Sequence, residues 1–274
     1  MSVHLRPAAV AGAFYPGSPD ELRACVSDLL AEARSTGPHA PDTPPKAVIV
    51  PHAGYIYSGP VAARAYALLA PFAARYRRVV LLGPTHRVAI RGLAAPACDA
   101  FATPLGTVAI DSAARAAISD LPQVGISDAV HAQEHALEVQ LPFLQTVLAE
   151  FSVLPLAVGD ATPESVAEVL ERLWGGPETL IAISSDLSHY LPYDAARQAD
   201  SRTIERILAL DLLGDPHSAC GAIPINGLLK AARRHGLHPE LIDLRNSGDT
   251  AGDRLRVVGY AAIAFTDQEA THAH

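Results

Sequence analysis

Three apolar runs of this chain end in groups that can hold a metal ion or move a proton. "KAVIV" leads into "PHAG" and delivers His52, "RRVVLLG" leads into "PTH" and delivers His86, and "TLIAIS" leads into "SDLSH" and delivers Asp186 and His189. Neutral imidazole binds transition-metal ions, and a positioned imidazole or carboxylate serves as general acid or base near neutral pH. A single histidine after a strand is more often a solvated loop residue or a partner for a backbone carbonyl. The joint pattern is more specific. His52 and His86 each sit close behind a proline, Pro51 and Pro84, which fixes the backbone. Each is flanked by a glycine, Gly54 and Gly83, which permits close backbone approach. We take the pair as candidate metal ligands and His189 as a candidate general base, oriented by Asp186 or a nearby hydroxyl.

Three other clusters compete with that assignment. "SSDLSH" offers Ser184 or Ser185 as a nucleophile beside Asp186 and His189, but a hydrolase triad draws on separated segments and the G-x-S-x-G elbow is missing. "HAQEHALE" contains His131-x-x-Glu134-His135, formally an inverted zinc-protease motif, in which helical spacing would place His131 and His135 on one face. The match is short, and Glu134 and His135 read better as packing beside or supporting the site than as forming it. Cys220, in "PHSACGAIPINGLL", lies just before a predicted helix, where a thiolate is favoured and suits a metal ligand. Cys25 and Cys98 read as small buried hydrophobes.

The elements that must position these residues alternate along the chain. Buried strands are predicted at "KAVIV", "RRVVLLG", "SVLPLAVG", "TLIAIS" and "RVVGYAAIAF". Helices are predicted at "GPVAARAYALLAPFAARY", "EHALEVQLPFLQTVLAEF" with a break or kink at Pro142, "TPESVAEVLERLW" with Thr162 as N-cap and Pro163 in the first turn, "DAARQADSRTIERILAL" and "NGLLKAARRHG". Such alternation indicates an α/β fold, a three-layer αβα sandwich around a mostly parallel or mixed sheet, in one domain spanning residues 1–274. Ligands of such sheets gather beyond the carboxyl ends of the strands, where these histidines fall. The Pro-rich stretch Ser35 to Lys46 reads as a loop. With a net charge of −8 and no basic run, nucleic acid is not expected as a partner, and no apolar run is long enough to span a bilayer. Three widely spaced cysteines and a start without a secretory pattern imply a reducing cytoplasm.

Six ordered motifs, "AGAFYPG", "PHAGYIYSGPVAA", "LLGPTH", "EHALEVQLPFLQ", "SSDLSHY" and "CGAIPI", resemble those of the Memo family, which includes members called AmmeMemoRadiSam system protein B. The resemblance spans nearly the whole chain and implies a fold similar to the class III extradiol, LigB-like dioxygenases, which hold non-haem Fe(II) through two histidines and a glutamate. Carried over residue by residue, it implies His52 and His86 as the imidazole ligands, Cys220 in place of the glutamate, and His189 as the acid/base with Asp186 lining the same pocket. Glu134, His135, Ser185 and Tyr55 are expected to support them. A thiolate softens such a site, so Fe or Cu is the expected ion, with Zn as a further choice. The resemblance thus implies a metal-dependent oxidoreductase acting on a small molecule or peptide. The alternatives are a metal holder or scaffold partnering a radical-SAM system, and a zinc hydrolase. Metal loading is expected to weaken as pH falls through the histidine range.

Overall fold

The computed structural model describes residues 3–37 and 42–267, so the expected proline-rich loop falls partly outside the described residues. Twelve strands follow in chain order: β1 (Leu5–Arg6), β2 (Ala47–Val50), β3 (Arg78–Pro84), β4 (Leu93–Ala95), β5 (Ala100–Thr103), β6 (Gly106–Ala109), β7 (Val124–Ile126), β8 (Ser152–Val158), β9 (Thr179–Ser184), β10 (His189–Leu191), β11 (Leu237–Asn246) and β12 (Val257–Asp267). The helices are α1 (Pro19–Thr36), α2 (Tyr55–Leu69), α3 (Ser112–Ala117), α4 (Asp128–His131), α5 (Leu141–Val147), α6 (Pro163–Leu173), α7 (Tyr193–Leu208), α8 (Ala222–Arg234) and α9 (Ser247–Thr250).

Nine strands form one mixed sheet in the order β10-β12-β2-β9-β3-β8-β4-β7, with β11 paired to β12. Its centre, β2, β9, β3 and β8, is parallel, whereas β12 and β4 run antiparallel to their neighbours β2 and β8. The central strands are apolar on both faces because helices cover both. Val48, Val50, Val79, Leu81, Leu180 and Ala182 pack with α1, α2 and α5. The alternating set Ala47, Ile49, Val80, Leu82, Ile181 and Ile183 packs with α6, α7 and α8. Two cores back to back on one sheet make the three-layer αβα sandwich that the sequence pattern predicts.

Local chemistry fixes the helix starts. Thr162 caps α6 in a capping box with Ser165, and Pro163 begins the helix. Pro142 lies in the first turn of α5, which follows a short 3₁₀ turn at Glu138–Gln140. The expected long helix is thus divided at the proline. The opposite happens at α2, which begins at Tyr55 with Pro60 inside it, four residues earlier than the composition indicates.

The turn before α5 is anchored by a buried carboxylate. Glu138 is fully buried and accepts hydrogen bonds from the Arg6 guanidinium, the Tyr15 hydroxyl and the N–H groups of Ala9 and Val10. Arg6 also donates to the carbonyls of His131 at 3.0 Å and Glu134 at 2.8 Å. The N-terminal segment is thereby tied to the stretch that carries Glu134, His135 and Gln140. Removing one partner of such a pair leaves a buried charge unsatisfied. Glu138→Gln is therefore expected to lose about 3–5 kcal/mol of stability in urea unfolding; a loss under about 1 kcal/mol would contradict the anchoring role.

Candidate metal centre

Because β2, β9 and β3 are adjacent and parallel, their carboxyl ends emerge on the same edge of the sheet. His52 follows β2, Ser184 ends β9 with Asp186 just beyond it, and His86 follows β3. This edge brings together residues that are 134 positions apart in the chain: the His52 N–H donates to Asp186 Oδ1 at 2.7 Å.

Each of the two rings has its Nδ1 committed. Ser184 Oγ donates its proton to the Ala136 carbonyl at 2.6 Å, so it can only accept from His52 Nδ1 at 2.9 Å. Gln140 Nε2 steadies the same hydroxyl at 2.8 Å and the Pro51 carbonyl at 2.9 Å, and its own carbonyl oxygen accepts from Tyr66. His86 Nδ1 donates to Glu134 Oε1 at 2.8 Å, and its backbone N–H donates to the other carboxylate oxygen. Burial alone would raise the Glu134 pKa, but the hydrogen bonds from His86 and Ala136 outweigh it and hold the carboxyl at about 2. In both rings the proton is on Nδ1, and Nε2 presents a lone pair.

His52 Nε2 faces Cys220 Sγ at 3.2 Å. The cysteine is placed by backbone reciprocity: its N–H donates to the Asp186 carbonyl at 3.2 Å, and the Asp186 N–H points at the sulfur at 3.3 Å. Ser185 completes the clasp, since its Oγ donates to the Asp186 carbonyl at 2.8 Å and accepts the Gly221 N–H at 2.8 Å. A Cβ on Gly221 would stand 2.6 Å from Ser185 Cβ, so only glycine allows this approach.

His52, His86 and Cys220 each offer one donor atom, all within 4.8 Å of one another. An ion bound to nitrogen at 2.0–2.1 Å and sulfur at 2.3 Å separates those donors by about 3.3–3.6 Å, close to the observed Nε2–Sγ spacing. The fit rests on this free-lone-pair geometry. These three side chains could hold a metal ion with coordination positions left open. His86, Glu134 and His135 also converge within 4.8 Å. There the carboxylate oxygens are already taken by His86 and Ala136, which favours a supporting role for Glu134.

Protonation is set by burial. His52 is pushed down to about 3, first by burial and then by the neighbouring His86, so it stays neutral well below the histidine range. Burial, with the Asp186 carboxylate nearby, pushes the Cys220 thiol up to about 12. The helix-start argument for a thiolate therefore fails in the metal-free chain, because the sulfur is desolvated. The proton that a metal must displace is on sulfur and not on His52, which shifts the expected pH dependence away from that ring.

A cavity of about 720 Å³ opens onto this cluster, lined among others by His52, His86, His135, Asp186 and His189. His189 is exposed; its Nδ1 donates to the Leu187 carbonyl at 2.8 Å, which leaves Nε2 free. His135 packs its ring 4.5 Å from that of His86 and 4.6 Å from Phe14, and its buried Nδ1 has no hydrogen-bond partner. Burial and the other two rings push it down to about 4. Tyr55 lies in the core with its hydroxyl on the Val139 carbonyl at 2.6 Å, and Tyr57 lines the cavity instead. Cys220 is not among the cavity's lining residues.

His131 does not join the cluster. Helix α4 ends at His131, so the H-x-x-E-H spacing is not helical across Glu134 and His135. Its ring is buried against Phe101, with Nε2 donating to the Ala94 carbonyl at 2.9 Å. Sequence reasoning also passed over Gln140 and gave Ser184 only a nucleophile's part; only their spatial meeting with His52 reveals the tautomer lock.

The protein is a three-layer α/β fold whose strand ends carry a cluster of imidazoles and a thiol that could hold a metal ion. Residues 6–264 match the family model for Memo-like protein, and the chain belongs to that family. It is 39% identical to a MEMO1 family protein of Methanopyrus kandleri, covering 95% of this chain and 98% of that one. It is 37% identical to MEMO1 family proteins of Methanosarcina barkeri (94% and 99% covered) and Aquifex aeolicus (96% and 100% covered). A crystal structure of an uncharacterized protein from Escherichia coli K12 aligns at 14% identity with a TM-score of 0.47, covering 78% of this chain and 98% of that one. No helix among the described residues is long and apolar enough to cross a membrane.

Two outcomes follow from this geometry. Gly221→Ala is expected to keep the fold by circular dichroism but to weaken metal binding at least tenfold by displacing Cys220; unchanged affinity would show that the clasp does not place the sulfur. His131, held at about 4 by burial, stays neutral in the fold while the unfolded chain protonates near 6.5. Its contribution is present above pH 6.5 and is lost as pH falls towards 4, on the order of 3 kcal/mol in full. His131→Gln is therefore expected to flatten the fall in unfolding free energy between pH 7 and 5, and an unaltered slope would contradict this.

Proposed function

We propose that this Memo-like protein holds a redox-active ion, Fe or Cu, through Nε2 of His52, Nε2 of His86 and Sγ of Cys220, and acts as a metal-dependent oxidoreductase on a small molecule or peptide bound in the adjoining cavity. The 3.2 Å meeting of His52 Nε2 with Cys220 Sγ, with the ring's proton committed to Ser184, carries the proposal. Such an ion would supply open coordination positions and Lewis-acid or one-electron chemistry. The chain's own residues do the rest. Ser184 and Glu134 orient the two rings, Asp186 ties the His52 and Cys220 segments together, and His189 offers a free Nε2 at the cavity wall to take or return a proton. On this reading the sheet is kin to the LigB-like dioxygenase fold, with thiolate where that site has carboxylate.

The same pair of atoms could be read as a thiol nucleophile and its base. That assignment is disfavoured, because a ring held at about 3 cannot take the proton of a thiol held at about 12, and because the sulfur does not line the cavity. A metal holder without turnover, partnering a radical-SAM system, uses the same three ligands. Its distinguishing support is that Cys220 lies off the cavity wall.

Elemental analysis and paramagnetic resonance of anaerobically purified protein test the proposal. About one Fe or Cu per chain is expected, and His52→Ala and Cys220→Ser are expected to lose it while His131→Gln keeps it. Cu(I) without turnover would favour the metal holder, and Zn a hydrolase. Retention of metal by both ligand variants would overturn the site. Since the thiol sits far above neutral pH and His52 far below it, loading is expected to release about one proton per ion from Cys220. Apparent affinity for Co(II) should then rise about tenfold per pH unit from 6 to 8. Affinity that is flat over this range would exclude the thiol as a ligand.

A further inference from the structure

A second cavity of about 580 Å³ lies against α7 and shares one wall, His189, with the cavity at the metal centre. Arg202 and Arg206 both line it. Being four residues apart on one helix, they occupy the same face, where like charges repel unless an anion lies between them. Neither guanidinium has a carboxylate partner among the described residues; Arg206 donates through Nε and Nη2 to the Leu212 carbonyl and keeps further N–H groups free, and no hydrogen bond holds Arg202. His217 and Ser218 face the same space. So does Ser188, a buried residue whose hydroxyl lies beside the Asp200 carboxylate without a well-formed hydrogen bond. The one acid in the lining, Asp215, already accepts the His217 N–H at 2.8 Å. Behind the wall, Asp200 takes the Ser188 N–H at 3.0 Å, and burial pushes its carboxyl up, towards the neutral form.

We propose that this α7 groove is a binding site for a phosphate group, seated between the Arg202 and Arg206 guanidinium groups and reached by the Ser188 hydroxyl. Two guanidinium forks and the Ser188 hydroxyl present more donors than the two oxygens of a carboxylate can accept, and they match the three terminal oxygens of a phosphate; the Ser218 hydroxyl is already committed to the Asp215 carbonyl at 2.7 Å. A cationic groove in a chain of net charge −8 is not a by-product of overall composition. The volume exceeds a bare ion, which favours an organic phosphate ester, and the shared wall makes His189 sense its occupancy.

The metal-free full-length chain is to be titrated calorimetrically with inorganic phosphate, glycerol 3-phosphate and acetate, with the His189 ring followed by NMR. Phosphate is expected to bind at least tenfold more tightly than acetate and to shift the His189 resonances. Glycerol 3-phosphate binding more tightly than inorganic phosphate would assign an ester, and equal binding the free ion; either supports the site. Arg202→Ala, which breaks no hydrogen bond or ion pair among the described residues, is expected to weaken binding at least tenfold, and Ser188→Ala at least threefold. Cys220→Ser is expected to bind phosphate as the parent does, so this site and the metal site can fail separately. Equal binding by the parent and Arg202→Ala, or loss of phosphate only in His52→Ala, would overturn the proposal.

Discussion

The candidate centre depends on where two protons are held. Ser184 Oγ has spent its own proton on a carbonyl and so accepts from His52, while the buried Glu134 carboxylate accepts from His86. Both rings are thereby fixed with Nε2 bare. Burial, which makes imidazolium unfavourable at His52, keeps that lone pair available across the physiological range. With the opposite tautomer, His52 Nε2 would carry the proton and could not bind an ion.

A hydroxyl, an amide, carboxylates and imidazoles are buried together here, and each needs a partner to offset its lost hydration. The fold supplies them from segments distant in sequence. Gln140 reaches Ser184 from the turn before α5, that turn is secured through Glu138 to Arg6 and Tyr15, and the loop these residues bracket brings Phe14 against His135. A polar network satisfied from four segments is rigid, as metal ligands require. Among the buried atoms of the described residues without a well-formed hydrogen bond, the His135 and His131 Nδ1 and the Ser188 hydroxyl mark where the satisfaction is incomplete. Two of these residues lie on cavity walls.

Much of this was legible in the sequence. The central strands announce themselves because burial on both faces demands unbroken apolar runs, and the histidines stand out because they break those runs at one end. Thr162 and Pro163 marked the α6 start by chemistry that is wholly local. What stayed hidden depends on distant partners. Strand β11 was missed: Pro239 and its mixed charges disguise it, and β12, its antiparallel partner along nearly its whole length, holds it in the sheet. The H-x-x-E-H spacing would put both imidazoles on one face only in a continuous helix, and α4 stops at His131. The Cys220 thiolate was inferred from its nearness to a helix start, whereas desolvation decides its state. Neither Gln140 nor the Arg202–Arg206 groove carries a signature, since their meaning lies in what the fold places opposite them.

On the proposed reading, the centre is a preformed two-imidazole site whose third ligand is a protonated thiol, with an ion required to ionise it. X-ray absorption at the metal edge of the anaerobically purified protein tests that claim most directly. One sulfur at about 2.3 Å and two nitrogens at about 2.0–2.1 Å are expected in the first coordination shell. A shell of nitrogen and oxygen alone, in protein that retains its metal, would contradict it.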